Sequence, residues 1–409
     1  MLSEVQGPTG ITVHLLSQID GQITSDPIGR QASLAAIEDQ ANQVAARFAA
    51  FVDSATTTLD VCIYDFRLVL SDVSDTIVAA INGAADRGVT VRVAYDANEA
   101  SDTEIIKQFR GAGGDPAPTG TQAFIARSLH ASVQTKAIAE ETVHDEVTDE
   151  PIAPGSHIMH HKYMIADAGT GAAAVWTGST NFTVDAWALQ ENNIVVISST
   201  DLAAQYAKDF NELWTTEKLT GTGRGNEGSV TVGGVDVRYA FAPGEGSAIE
   251  SLIAQAISGA TTRVRVASMV TSSPAILTAL KGRIDAGIDF AGVYDQGETQ
   301  GVLSQWRNSA TGADKVALAE AVLAKMVAKD SERFDPSATD SAHNFMHDKI
   351  VVADDTLVTG SFNFSANAAH NAENVLALQN ADLANAYAGY IDGLVVRYRG
   401  SAPASPPAP

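Results

Sequence analysis

Two stretches of the chain carry the same three residue types at the same spacing: His160-x-Lys162-x4-Asp167 and His347-x-Lys349-x4-Asp354. An imidazole titrates near neutral pH and can serve as nucleophile, acid or base. An ammonium two residues on supplies a point charge for an anion. In an extended chain, residues i and i+2 share a face, so each His and its Lys point the same way. Two such sets facing one another would hold one phosphodiester, attack its phosphorus and protonate its leaving oxygen. The doublet therefore reads as a two-part site for phosphoryl transfer.

The repeat continues downstream. Thr177-Gly178-Ser179-Thr180-Asn181-Phe182 follows the first set and Thr359-Gly360-Ser361-Phe362-Asn363-Phe364 the second. A Glu-Asn pair stands twelve residues beyond each serine, at Glu191 and at Glu373. Asp201-Leu202-Ala203 then matches Asp382-Leu383-Ala384, after a one-residue slip in spacing. Ser179, Asn181, Ser361 and Asn363 are candidate neutral donors to phosphate oxygens beside Lys162 and Lys349. An attacking histidine needs its far ring nitrogen held by an acceptor, and Glu191 and Glu373 are the candidates. Asp167 and Asp354 complete the two catalytic sets, with support of the loops and lysines as their task. The residues are symmetrical between the halves and leave open which histidine attacks.

The pattern resembles the phospholipase D superfamily, marked by a tandem HxKxxxxD motif followed by GSxN. The resemblance spans about residues 45 to 398 and is strongest over 157–197 and 343–379. It implies a phosphodiesterase that uses neither cofactor nor catalytic metal. It implies a phosphohistidine on His160, His347 as the acid, and Glu191 and Glu373 as the acids that orient the histidines. The expected reaction is hydrolysis of a phospholipid headgroup phosphodiester, or its transfer to an alcohol (transphosphatidylation). A nuclease is the alternative, because Gly360-Ser-Phe-Asn-Phe-Ser365 and Asn371-Ala-Glu-Asn374 are similar to a small bacterial nuclease branch. A decayed binding module is a third reading, opposed by two intact motifs.

Composition bears on these readings. Lys and Arg number 26 against 49 Asp and Glu, a net charge of −23. Nucleic-acid binding rests on Lys and Arg displacing counterions, so this balance opposes the nuclease. It is as poor for anionic membranes, although peripheral membrane contact stays compatible with a lipid substrate. Cys62 is the single cysteine, which excludes intrachain disulfides and cysteine-based zinc sites. It lies in an apolar run and is expected to be an inert buried thiol. His157, His160 and His161 cluster without an acid or Cys at ligand spacing, so no metal is expected. No apolar run approaches the roughly 20 residues of a membrane span. Met1 to Gln22 lacks a leader pattern; the expectation is a cytoplasmic monomer, with a secreted mature form as alternative.

The elements that must position these residues also repeat. Leu59 to Tyr64 reads as a strand, Ile77, Ile81 and Ala84 mark a helix, and Gly88 to Asp96 reads as a second strand. Arg263 to Ala267, a helix from Pro274, and Gly287 to Asp295 repeat that order. Each unit implies a right-handed crossover between parallel strands. Each motif sits on a short apolar run, as a buried strand would. An amphipathic helix ends each half, through Leu202, Tyr206, Phe210 and Leu213, then Leu383, Tyr387, Ile391 and Leu394. The expected fold class is α/β: two similar α/β/α-sandwich domains with mixed, largely parallel sheets, related by a pseudo-two-fold axis. Residues 1–220 and 229–400 form the domains, 221–228 a glycine-rich linker and 401–409 a disordered tail. The insertion from Glu99 to Ser156 carries Glu140, Glu141, Asp145, Glu146, Asp149 and Glu150 and reads as a solvated acidic loop. Ala313 to Lys329 reads as one helix.

Overall fold

The computed structural model describes residues 2–19, 27–68, 71–97, 120–139, 141–144, 151–309, 312–331 and 344–399. Two eight-stranded sheets dominate it. In spatial order the first runs Leu2–Gln6, Ile11–Leu16, Asn192–Ser198, Ala174–Gly178, Lys162–Ala166, Thr58–Ile63, Thr90–Asp96 and Gln134–Ile138. The second runs Glu227–Val232, Val235–Ala242, Glu373–Gln379, Thr356–Gly360, Lys349–Ala353, Arg263–Ser268, Asp289–Asp295 and Val327–Lys329. The two orders correspond strand for strand. Both motif strands are buried along their whole length, Lys162–Ala166 and Lys349–Ala353 alike.

The sheets are mixed, as expected, but they are not largely parallel. Five of the seven pairings in each sheet are antiparallel. The two parallel pairings lie at the crossover end, around Thr90–Asp96 and Asp289–Asp295. Connection length explains this. A parallel crossover needs a dozen or more residues. Only the turn at 354–355 separates Lys349–Ala353 from Thr356–Gly360, so that pair must fold back as a hairpin.

Two further elements differ from expectation, and a third is not read from the sequence. The N-terminal hairpin, Leu2–Gln6 with Ile11–Leu16, extends the first sheet by pairing with Asn192–Ser198. The helix from Ala313 stops at Leu323, and Val327–Lys329 becomes an edge strand. Within the acidic insertion, Glu141–His144 pairs with Pro151–His157 as a two-stranded arm. Glu140, Asp145, Glu146, Asp149, Glu150 and the 401–409 tail lie outside the described residues.

The C-terminal helices of the two halves, Thr200–Thr216 and Ala381–Tyr398, each pack on the inner face of their own sheet. Ser199 caps the first through Leu202 N, and Asn380 caps the second through Leu383 N. Tyr206, Phe210, Leu213, Tyr387, Ile391 and Leu394 share one buried cluster with strands of both sheets. Each outer sheet face has its own separate core. Burying each large apolar side chain contributes about 1.5–3 kcal/mol, so the shared cluster resists separation of the halves. The glycine-rich joint packs against the protein: Thr222 and Asn226 are buried, and Gly223 N donates to Glu212 Oε2 at 2.7 Å. No helix among the described residues is long and apolar enough to cross a membrane.

Candidate active site

Both motif strands enter one junction. Isolated bridges join Met159 to Ala372 and Glu191 to Met346, so the lead-in to each motif pairs with the opposite half. His160 N donates to Ala372 O at 2.9 Å, and His347 N donates to Glu191 O at 3.1 Å. Each lysine turns back on its own motif: Lys162 Nζ donates to His160 O at 2.8 Å and Lys349 Nζ to His347 O. Gly178 and Gly360 admit the neighbouring strand at the same place in each half. Their φ values are 143° and 152°, and a Cβ would sit 2.2 Å from the carbonyl oxygens of Asn193 and Asn374 respectively. Only glycine fits there.

Side chains then stitch the junction. Asn374 Nδ2 donates to Thr177 Oγ1 at 3.0 Å and lies 3.0 Å from Tyr206 Oη. Thr359 Oγ1 donates to Asn193 Oδ1 at 2.9 Å, and Asn193 Nδ2 donates to Asp348 Oδ1 at 2.8 Å. All are buried, so losing one partner would strand the other at a cost of about 1–3 kcal/mol.

The histidine partners are not symmetrical. His160 Nδ1 lies 2.8 Å and 2.9 Å from the two oxygens of Glu373, as expected. His347 Nδ1 lies 2.9 Å from Asn192 Oδ1. Glu191, the expected partner, sends its carboxylate to Tyr398 Oη, to Tyr390 Oη at 3.2 Å and toward Arg397 at 3.6 Å. The register gives the reason. Gly178 pairs with Ile194 and Gly360 with Val375, so Asn192 stands where Glu373 stands and Glu191 matches Ala372. The first half has one more residue between its serine and that strand. A one-residue shift turns a strand side chain to the opposite face.

Burial drives His160 well below the ordinary imidazole range, and Lys162 and Lys349 push it further down. Burial raises Glu373 to about 7 against the pull of Lys162. With the carboxylate ionised and one proton in the Nδ1···Oε bond, Nε2 of His160 carries a free lone pair. Burial, then Lys162, lowers Lys349 to about 7. An anion between the lysines would restore its charge.

The other expected residues divide. Ser179 and Ser361 are fully buried, and they face partner side chains rather than open space. Ser179 Oγ donates to Asn192 Oδ1 at 2.8 Å, and Ser361 bonds to Glu373. Each thus touches the side chain that holds a motif histidine, Asn192 or Glu373. Asn181 and Asn363 are half-buried, and each has a buried Oδ1 with no hydrogen-bond partner among the described residues. Asp167 and Asp354 end their strands about 20 Å from the histidines at roughly 3.3 Å per residue. Both take left-handed φ, 51° and 50°. Asp167 accepts from the backbone N–H groups of Thr56, Thr57 and Thr58, and Asp354 from those of Thr261, Thr262 and Arg263. Burial works upward on both carboxyls, but the threonine hydrogen bonds win and hold them far below the usual range. They pin the start of the neighbouring strand and touch neither lysine nor reacting atoms. Cys62 is buried.

Sequence reasoning missed Asn192. The signal was present: Asn192 and Asn193 are adjacent, and the downstream repeat slips by one residue. Tyr64 also flanks the site, its ring 5.0 Å from that of His160 with Lys162 Nζ 5.0 Å away. Met269 takes the matching place, since Tyr64 N bonds His161 O as Met269 N bonds Asp348 O.

The family model described as "Cardiolipin synthase, PLD-like domain" matches residues 48–214 and 253–395. The chain belongs to the phospholipase D-like family. A mitochondrial cardiolipin hydrolase of Chlamydomonas reinhardtii is 28% identical over 169 residues, 41% of this chain and 56% of that protein. The chain thus spans about half the length of that relative. Among solved structures, the phosphatidylserine synthase of Haemophilus influenzae shares the phospholipase D-like fold, with a TM-score of 0.54 at 11% identity, over 87% of this chain and 84% of that one. The phospholipase D family member Nuc of Salmonella typhimurium is 25% identical over 40% of this chain and 95% of its own, with a TM-score of 0.30.

Proposed function

We propose that this chain is a phospholipase D-type phosphodiesterase that cleaves a phospholipid headgroup through a phosphohistidine. The carrying observation is His160, held by Glu373 of the opposite half, with Lys162 and Lys349 both close enough to act on it. Nε2 of His160 attacks phosphorus, a P–N bond forms and the bond to the leaving oxygen breaks. His347 gives its Nε2 proton to that oxygen. His347 then takes a proton from water, the hydroxide attacks phosphorus, and the P–N electron pair returns to His160. The lysines, with Asn181 and Asn363, stabilise the charge on the non-bridging oxygens. Residues 1–220 and 229–400 act as two units of one monomer with one site.

The lipid reading draws on the cardiolipin hydrolase relative; the net charge of −23 opposes nucleic acid and anionic membranes alike and does not choose between them. The nuclease reading draws on the residues from Gly360 to Ser365. Headgroup release from phospholipid vesicles in EDTA, absent in His160→Ala, is the expected result. Degradation of single-stranded DNA with no lipid turnover would select the nuclease instead.

A further inference from the structure

We infer that Asn192 is a positioning residue that assigns the two histidines different tasks, giving His347 a neutral partner where His160 has a carboxylate. This rests on the phosphodiesterase reading above and goes beyond it, because the motif residues are the same in both halves. The partners of the two Nδ1 atoms differ at one strand position, Asn192 against Glu373.

The orientation of the Asn192 amide is set by its surroundings. Its Nδ2 donates to Ala186 O at 3.0 Å, a carbonyl that can only accept, and lies 3.2 Å from Gln190 Oε1. Its Oδ1 accepts from Ser179 Oγ at 2.8 Å. The oxygen therefore faces His347, and Nδ1 of His347 must carry the proton. That tautomer leaves Nε2 as the nitrogen that gains and gives a proton toward substrate. An amide stabilises an imidazolium less than a carboxylate does, so protonated His347 yields its proton more readily. His160 has the opposite arrangement. When phosphorylated on Nε2 it becomes cationic, and Glu373 is there to balance that charge. A nucleophile needs a carboxylate behind it, and a departing proton does not.

Other charged groups lie close by: Asp348 and Lys349 follow His347 in sequence, the Glu191 carbonyl accepts its backbone N–H, and Lys162 and Glu373 act on Lys349. Asp348 is held by Asn193 and Tyr390, and Glu191 by Tyr390, Tyr398 and Arg397. None of them changes in Asn192→Asp, a near-isosteric replacement that alters the partner's charge.

The test is a titration of both imidazoles by NMR of 15N-histidine-labelled full-length protein, beside the pH profile of kcat/KM. In Asn192→Asp the His347 midpoint rises by about one pH unit or more, and the alkaline limb of kcat/KM moves up with it. His160 stays where it was. A His347 midpoint unmoved by the substitution overturns the inference, whatever the activity. If the variant does not fold, the wild-type spectrum decides: Nδ1 of His347 protonated throughout supports the inference, and an Nε2–H tautomer overturns it. A shifted midpoint in a protein whose wild type turns over no phosphodiester supports the pairing and overturns the phosphodiesterase reading instead.

Discussion

His160 and His347 begin the same motif on equivalent strands, yet one leans on a carboxylate and the other on an amide. Their backbones are matched: His160 N bonds Ala372 O as His347 N bonds Glu191 O. The difference lies in the side chains around them: Glu373 against Asn192, and Tyr64 against Met269. A duplicated fold can thus keep its geometry symmetrical while one strand position gives the two histidines different partners, which in the proposal above separates nucleophile from acid. Glu191, displaced by one residue, has become part of a buried network with Tyr390, Tyr398 and Arg397.

The comparison is broken most severely at the attacking side. His160→Ala is expected to abolish headgroup release, and Glu373→Gln to cut kcat by about 10³–10⁴, the scale for removing a histidine's orienting carboxylate. Asn192→Asp should cost less than about tenfold at neutral pH, because it changes the proton affinity of His347 and the amide's donor bonds to Ala186 and Gln190 but leaves His160 and its carboxylate in place. Equal losses in the two variants, measured by steady-state kinetics, would erase the division of tasks.

The lysines sharpen it next. Lys349 is lowered to about 7 by burial and then by Lys162. A lysine with a depressed pKa is charged below that value and neutral above it. Inorganic phosphate should therefore bind the free enzyme more weakly as pH rises through about 7, as read by calorimetry. Lys162→Met should move that transition upward, because the like charge is removed, while lowering kcat/KM by about 10² or more.

The motif aspartates give the smallest effect on chemistry. Asp354→Asn should lower stability by about 1–3 kcal/mol through lost charge-assisted bonds to Thr261, Thr262 and Arg263. It should leave kcat of the folded enzyme within a few-fold, checked by urea unfolding beside kinetics. Both aspartates are depressed in the folded state. Their stabilisation is thus complete above the unfolded value near 4 and is lost as pH falls below it toward the folded pKa. Acid unfolding of Asp354→Asn should be correspondingly less steep.

Much of this was legible in the sequence for identifiable reasons. Buried strands read as apolar runs, so Lys162–Ala166 and Lys349–Ala353 were clear. Helices with a 3.6-residue stripe, such as Thr200–Thr216, were clear as well. Strand direction was not, because it depends on connection lengths that a repeat of crossovers obscures. The N-terminal hairpin carries no motif, and its place is decided by the free edge of Asn192–Ser198. Equal spacing from serine to glutamate suggested equivalence of Glu191 and Glu373, but hydrogen-bond register decides equivalence, and one extra residue changes it. Ser179 and Ser361 belong to the motif yet face inward, which residue type alone does not reveal.

The most direct measurement is to quench the enzyme in alkali during turnover and locate the phosphoryl group by mass spectrometry. The account predicts a phosphorylated His160 and an unmodified His347. Phosphate on His347, or turnover with no phosphohistidine on either residue under single-turnover conditions, would contradict it.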